Sequence, residues 1–201
     1  MKSVTDGSWG STFGSALHLC GKDLKGSTVG IVGLGRIGLA VAQRIIPFGI
    51  KKVLYSGSSA KPYAKDIGAE FVPFKELLAQ SDFVIACCSI NKANHKLFNE
   101  DAFKAMKSSA ILINTSRGIL IDQEALYTAL KTGKIYAAGL DVTSPEPLPV
   151  DHPLHTLPNC TIIPHLGSAS VNTRLSMVDL TVRNILAGLR GETLPSPVPT
   201  P

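Results

Sequence analysis

Thr28-Val29-Gly30-Ile31-Val32-Gly33-Leu34-Gly35-Arg36-Ile37-Gly38 decides the fold of this 201-residue chain. An apolar run, Thr28 to Val32, ends in Gly-x-Gly-x-x-Gly. Apolar residues at helical spacing then continue from Arg36 to Ile46 and stop before Pro47. Strand, turn and helix in that order give each glycine a task. Gly33 permits the tight turn, Gly35 lets the backbone approach a pyrophosphate, and Gly38 lets the helix pack closely on the strand. The phosphates of such a ligand sit at a helix N-terminus, where unpaired N–H groups and the helix dipole favour anions.

Outward from this turn the chain alternates short apolar runs with helical patterns. Seven strands are expected: Thr28–Val32, Lys52–Ser56, Glu70–Val72, Asp82–Cys87, Ala110–Asn114, Tyr136–Leu140 and Thr161–Ile163. Most are continuously apolar, as strands buried on both faces are. Between them lie helix patterns from Arg36 to Ile46, Lys61 to Ile67 and Phe74 to Ala79. Two more follow, one capped by Asn99 and one capped by Asp122 and closed by Gly133. The alternation predicts an α/β, Rossmann-type, doubly wound parallel sheet of about seven strands spanning residues 28–169. Residues 1–27 form an N-terminal arm rich in Gly and Ser. Residues 141–160 form a proline-rich loop, residues 170–190 a long amphipathic C-terminal helix, and residues 191–201 an extended proline-rich tail.

The second strand refines the ligand. A carboxylate about 20 residues beyond the glycines would bond a ribose 2′-hydroxyl. Here no acidic residue occurs from Leu24 to Lys65, and the strand runs out through Ser58, Ser59 and Lys61. Small hydroxyls and a lysine suit a 2′-phosphate that a carboxylate would repel. NADP is therefore expected in preference to NAD; a polar surface turn without a ligand is the other reading of this loop.

Composition narrows the class. The chain is 44% hydrophobic and 17% charged, with mean hydropathy +0.19, which fits a globular domain and not a disordered tail. No apolar run reaches the roughly 20 residues of a membrane span, and residues 1–10 lack a signal-peptide core, so a soluble chain is expected. Cys20, Cys87, Cys88 and Cys160 have no metal or redox spacing. Reduced thiols and a cytoplasmic location are the reading, with Cys87-Cys88 serving core packing. His152 and His155 sit three apart without further ligands, and no metal is expected. The net charge of +5 is scattered, with Lys51-Lys52 the only adjacent basic pair, so no nucleic-acid partner is expected.

Three polar residues fall just after predicted strand ends: Arg117, Glu146 and His165. In an open parallel sheet that edge is where ligands bind. Together with the glycine turn, the stretches Asn114-Thr115-Ser116-Arg117-Gly118, Ala138-Gly139-Leu140-Asp141-Val142, Pro145-Glu146-Pro147-Leu148-Pro149 and Pro164-His165-Leu166-Gly167-Ser168-Ala169 resemble the D-2-hydroxyacid dehydrogenases of the glyoxylate/hydroxypyruvate reductase type. The resemblance covers nearly all of residues 15–195. It implies that Arg117 binds the carboxylate and carbonyl of a small 2-oxo acid, that His165 donates a proton, and that Glu146 holds the other imidazole nitrogen. It also implies that Gly35, Arg36 and Ile37 line the pyrophosphate, and that Ser89 and Thr115 flank the ribose and nicotinamide. Asp141 would bond the nicotinamide end, or else cap its strand, and Gly167 and Ser168 would lie beside the ring. Similar enzymes often carry arginine where Ser58 stands, which weakens the expected phosphate grip.

In that family a substrate domain of about 100 residues precedes the cofactor domain, whereas here only 32 residues precede Gly33. Dinucleotide binding with little turnover is the expectation for the 201 residues alone. The other reading is a non-catalytic dinucleotide-binding or dimerisation module. The family resemblance implies a homodimer, in which Trp9, Phe13 and Leu17 of the arm would serve as contacts or else pack on their own domain.

Overall fold

A computed structural model describes Gly7 and residues 20–198; Trp9, Phe13 and Leu17 lie outside these. Seven strands form one sheet: β1 Thr28–Val32, β2 Lys52–Ser56, β3 Ala69–Phe71, β4 Phe83–Ala86, β5 Ile111–Asn114, β6 Ala137–Leu140 and β7 Cys160–Ile162. Every pairing is parallel and the order is β3-β2-β1-β4-β5-β6-β7. The strand order reverses between β1 and β4, which creates the crevice at their C-terminal ends. This is the Rossmann-type α/β fold.

Among the described residues, five α-helices accompany the sheet: α1 Arg36–Ile45, α2 Phe74–Gln80, α3 Glu100–Ala105, α4 Gln123–Lys131 and α5 Val171–Leu189. Alternate strand residues feed two cores. Leu54, Val84 and Leu112 face Leu77 and Leu78 of α2, Phe103 of α3 and Leu126 and Leu130 of α4. Val29, Ile31, Val53, Tyr55, Phe83 and Ile85 face Ala42 of α1 and Ala64. Burial on both faces is why the strands read as unbroken apolar runs. Asn99, Asp122 and Ser170 accept hydrogen bonds from Ala102, Ala125 and Thr173 N–H groups, fixing where α3, α4 and α5 begin.

Several local expectations shift. The Lys61–Ile67 pattern is a 3-10 segment, Pro62–Ile67, and the proline-rich loop contains another, Pro153–Thr156. Ile46–Phe48 tightens into 3-10 geometry with Pro47 inside it, because Pro47 cannot donate the next helical bond. The amphipathic α5 forms, but among the described residues Ala187 is the only one of its residues that is buried; Val171, Leu175, Val178, Val182 and Ile185 are exposed. No helix among the described residues is long and apolar enough to cross a membrane.

Asp82 ties the opposite edge of the sheet together. Its carboxylate accepts from the Thr28 N–H at 2.9 Å, Lys22 Nζ at 2.9 Å and Lys107 Nζ at 3.2 Å. Lys22 also donates to the Ser109 carbonyl. The segment before β1 is thereby anchored beside β4 and β5. Burial pushes the Asp82 carboxyl up, but the Thr28 N–H and the two ammonium groups outweigh it and hold the pKa at about 2. A depressed carboxylate stabilises the fold above its unfolded pKa of 3.8 and loses that effect as pH falls toward 2. The contribution is about 2 kcal/mol. Urea unfolding measured from pH 5 down to pH 2 should show this loss, and Asp82→Asn should flatten it; an unchanged slope would refute the assignment.

Candidate active site at the carboxyl edge of the sheet

The glycine turn is strung between its neighbours. Gly33 N–H donates to the Ser56 carbonyl at 2.8 Å, and Cys87 N–H to the Val32 carbonyl at 2.8 Å. Gly33 has φ +96°, and a Cβ there would lie 2.5 Å from Cys88 Cα. A Cβ on Gly38 would lie 2.2 Å from the Gly33 carbonyl oxygen, so helix and strand meet backbone to backbone. In front of Gly35, by contrast, nothing stands within 4 Å of an added Cβ. Helix α1 begins at Gly35 with no capping side chain and no acidic residue in its first turn. Arg36 and Ile37 are exposed there, Ile37 at 65%. An open, uncapped helix N-terminus free of negative charge fits the pyrophosphate of a dinucleotide.

The loop after β2 lies beside this turn. Lys61 N–H donates to Tyr55 Oη at 2.8 Å, and Lys61 Nζ reaches Ser59 Oγ at 3.3 Å. Tyr63 Oη donates to the Leu34 carbonyl at 2.7 Å, which pins the loop to the glycine turn. Ser58 and Ser59 are exposed. Beyond β4 and β5, Ser89 and Thr115 are likewise exposed on the same edge.

Arg117 is placed by Asn114, a fully buried residue that ends β5. Asn114 Oδ1 accepts from Ser116 N–H at 3.0 Å, and Nδ2 donates to the Arg117 carbonyl at 2.9 Å. Its signal in the sequence was a lone amide closing an apolar run, the pattern of an Asx turn. The Arg117 guanidinium is exposed and donates to the Ser116 carbonyl at 2.7 Å.

Glu146 and His165 come together. Glu146 Oε1 lies 2.5 Å from His165 Nδ1, with the side chains 41% and 48% exposed. His165 takes the left-handed conformation, φ +51°, at a cost of order 1–3 kcal/mol for a non-glycine residue. Asp141 holds it there. Its carbonyl accepts from His165 N–H at 3.0 Å, and its carboxylate accepts from Leu166 N–H at 2.5 Å and Gly167 N–H at 2.9 Å. Asp141, at the end of β6, thus caps the neighbouring loop that follows β7. Ser168 follows, its carbonyl accepting from Arg174 Nε at 3.2 Å. Thr143, His155 and Ile163 join Asp141, Glu146 and His165 around a cavity of about 510 Å³. Arg117, on the adjacent strand end, shares the edge but does not touch the pair.

A larger groove of about 680 Å³ lies elsewhere, between Asn99, Phe103, Ala125 and Lys134, and contains none of these residues. Burial pushes the Cys87 and Cys160 thiols up to about 11 and raises Cys88 as well, so none of the three is a thiolate nucleophile at neutral pH. His152 Nδ1 accepts from the Leu154 N–H at 3.2 Å. Among the described residues no three His, Cys, Asp or Glu side chains gather around a metal-sized site.

Known proteins share this fold and much of this sequence. Residues 1–167 match the family described as D-isomer specific 2-hydroxyacid dehydrogenase, NAD binding domain. The glyoxylate reductase/hydroxypyruvate reductase of Homo sapiens is 53% identical over 197 residues, covering 98% of this chain and 60% of the human protein. The glyoxylate reductase of Thermococcus onnurineus is 43% identical over 199 residues, covering 97% of this chain and 59% of its own length. Among solved structures, the TT0316 protein from Thermus thermophilus superimposes with a TM-score of 0.90 at 44% identity, covering 98% of this chain and 61% of that one. A glyoxylate reductase from Paecilomyes thermophila gives 0.87 at 34% identity, covering 96% and 57%. The chain spans about three-fifths of the length of these relatives. With the glycine turn and the Glu146–His165 pair in place on a matching sheet, the chain belongs to the D-isomer specific 2-hydroxyacid dehydrogenases and carries their NAD-binding domain.

Proposed function

We propose that this chain supplies the cofactor-binding half and the Arg-Glu-His set of a reductase that converts a small 2-oxo acid, glyoxylate or hydroxypyruvate, to the D-2-hydroxy acid with NADPH. The observation that carries the reading is the Glu146–His165 pair on the same sheet edge as the glycine turn. When bound, the nicotinamide supplies the hydride. Arg117 offers a planar fork of donors to the substrate carboxylate and carbonyl oxygen. His165 has Nδ1 on Glu146, while Nε2 makes no hydrogen bond among the described residues. That nitrogen is the one to deliver a proton to the developing alkoxide. Glu146, held on Nδ1, fixes the tautomer and the orientation of the ring, so that Nε2 is the atom turned to the substrate. Asp141, with both carboxylate oxygens on backbone N–H groups, keeps the imidazole in register and has lone pairs left for a carboxamide.

Ser58, Ser59 and Lys61, with no acidic residue between Leu24 and Lys65, support the preference for NADPH. Titrating the chain with each reduced dinucleotide, followed by calorimetry, should give tighter binding of NADPH than of NADH. Tighter NADH binding would overturn the preference, and no binding of either would overturn the function.

A further inference from the structure

The Glu146 loop has few bonds of its own. Pro145 and Pro147 lack N–H groups, and residues 144–147 are exposed. What grips the loop comes from α4. Gln123, the first residue of that helix, reaches Ser144, 21 residues away, and bonds both of its backbone groups. Oε1 accepts from Ser144 N–H at 2.9 Å, and Nε2 donates to the Ser144 carbonyl at 2.8 Å. A primary amide matched to the donor and acceptor of one residue fixes both its place and its orientation, as a neighbouring strand does. Thr143 Oγ1 donates to the Pro145 carbonyl at 2.8 Å, continuing the restraint toward Glu146. Gln123 Nε2 also lies 3.5 Å from His152 Nε2. The same helix N-terminus follows the Arg117 turn, so one element sets both loops.

We propose that Gln123 is a positioning residue: by clamping Ser144 it holds the Glu146 carboxylate on His165 Nδ1 and so selects the imidazole tautomer that leaves Nε2 for proton transfer. This rests on the proposed reading of His165, but its test needs no turnover. Long-range proton–nitrogen correlation spectra of the histidine-labelled chain, recorded where the imidazole is neutral, report which ring nitrogen carries the proton. The unaltered chain should show His165 protonated at Nδ1. Gln123→Met keeps the length and packing of the side chain but removes both bonds. It should lose the single-tautomer signature and show averaging between the two forms, while NADPH affinity stays unchanged because the glycine turn lies three strands away. Gln123→Glu keeps the acceptor for Ser144 N–H and repels the Ser144 carbonyl. It should also lose the signature, and it serves if the methionine variant fails to fold. A folded variant with an unaltered His165 spectrum overturns the proposal. If the unaltered chain already lacks the Nδ1–H form, the Glu146–His165 reading fails and the clamp fails with it. Absence of turnover with a substrate domain of the family present and the His165 tautomer intact would count against the reductase reading alone.

Discussion

Replacing His165 with glutamine is expected to cut 2-oxo acid reduction by about 10²–10⁴-fold, the usual worth of a positioned general acid. Glutamine has nearly the size of histidine and can still donate a hydrogen bond toward the carbonyl oxygen, but it has no proton to give up. The substitution therefore separates orientation from proton transfer. Dinucleotide affinity should stay as it was, because the phosphates are met by the turn at the end of β1 and the imidazole stands beyond β6. Histidine tolerates the left-handed backbone at position 165 better than glutamine does, so the fold of the variant is to be checked by its Tm beside the rate. The rate is to be measured with a substrate domain of the family present, by loss of NADPH absorbance at saturating cofactor. Retention of most of the rate would remove His165 from the proton path, and a fall in NADPH affinity would place it in the binding site instead.

The sheet was legible in the sequence because its strands carry little else. β1 and β2 have the expected bounds, and the others differ by one residue at an end or two. Burial on both faces leaves an uninterrupted apolar run, and the caps Asn99, Asp122 and Ser170 mark the helix starts by their side-chain oxygens. The glycine turn was legible for the same reason: its geometry admits no Cβ at Gly33 or Gly38. Arg117, Glu146 and His165 showed as polar residues after strand ends, but only the pairing of Glu146 with His165 makes a contact. Hidden from the sequence were the interactions that aim them. Gln123 with Ser144, Tyr63 with Leu34, and Lys22 with Asp82 join residues 21, 29 and 60 positions apart. Each is an ordinary polar residue whose partner is fixed only when the strands are ordered. The helical spacing of α5 announced an apolar face, but what that face meets depends on the tertiary fold, and within the described residues it meets almost nothing.

Gly118→Ala should be among the most destabilising single substitutions in the chain. Gly118 follows Arg117 and is buried against the loop that leads to Glu146. A Cβ at this position would stand 2.0 Å from both the carbonyl carbon and the carbonyl oxygen of Thr143, and 2.6 Å from the Ser144 nitrogen. All three are backbone atoms, so no side-chain rotation relieves the overlap; one loop must move off the other. Overpacking of this kind typically costs about 1–3 kcal/mol and sometimes more, and the rigid neighbours argue for about 3 kcal/mol here. For a domain of this size that lowers Tm by about 6–12 °C. The movement also pushes Thr143 and Ser144 away from Gln123, which breaks the clamp and separates Arg117 from the Glu146–His165 pair. A second effect should therefore accompany the lower Tm. The His165 tautomer signal should average as it does in Gln123→Met, at temperatures where the variant is still folded. Calorimetric unfolding and the nitrogen spectra together check both effects. A variant with the original Tm would show that the two loops are not packed backbone to backbone. A lower Tm with an unaltered His165 spectrum would show that their contact stabilises the fold without aligning the site.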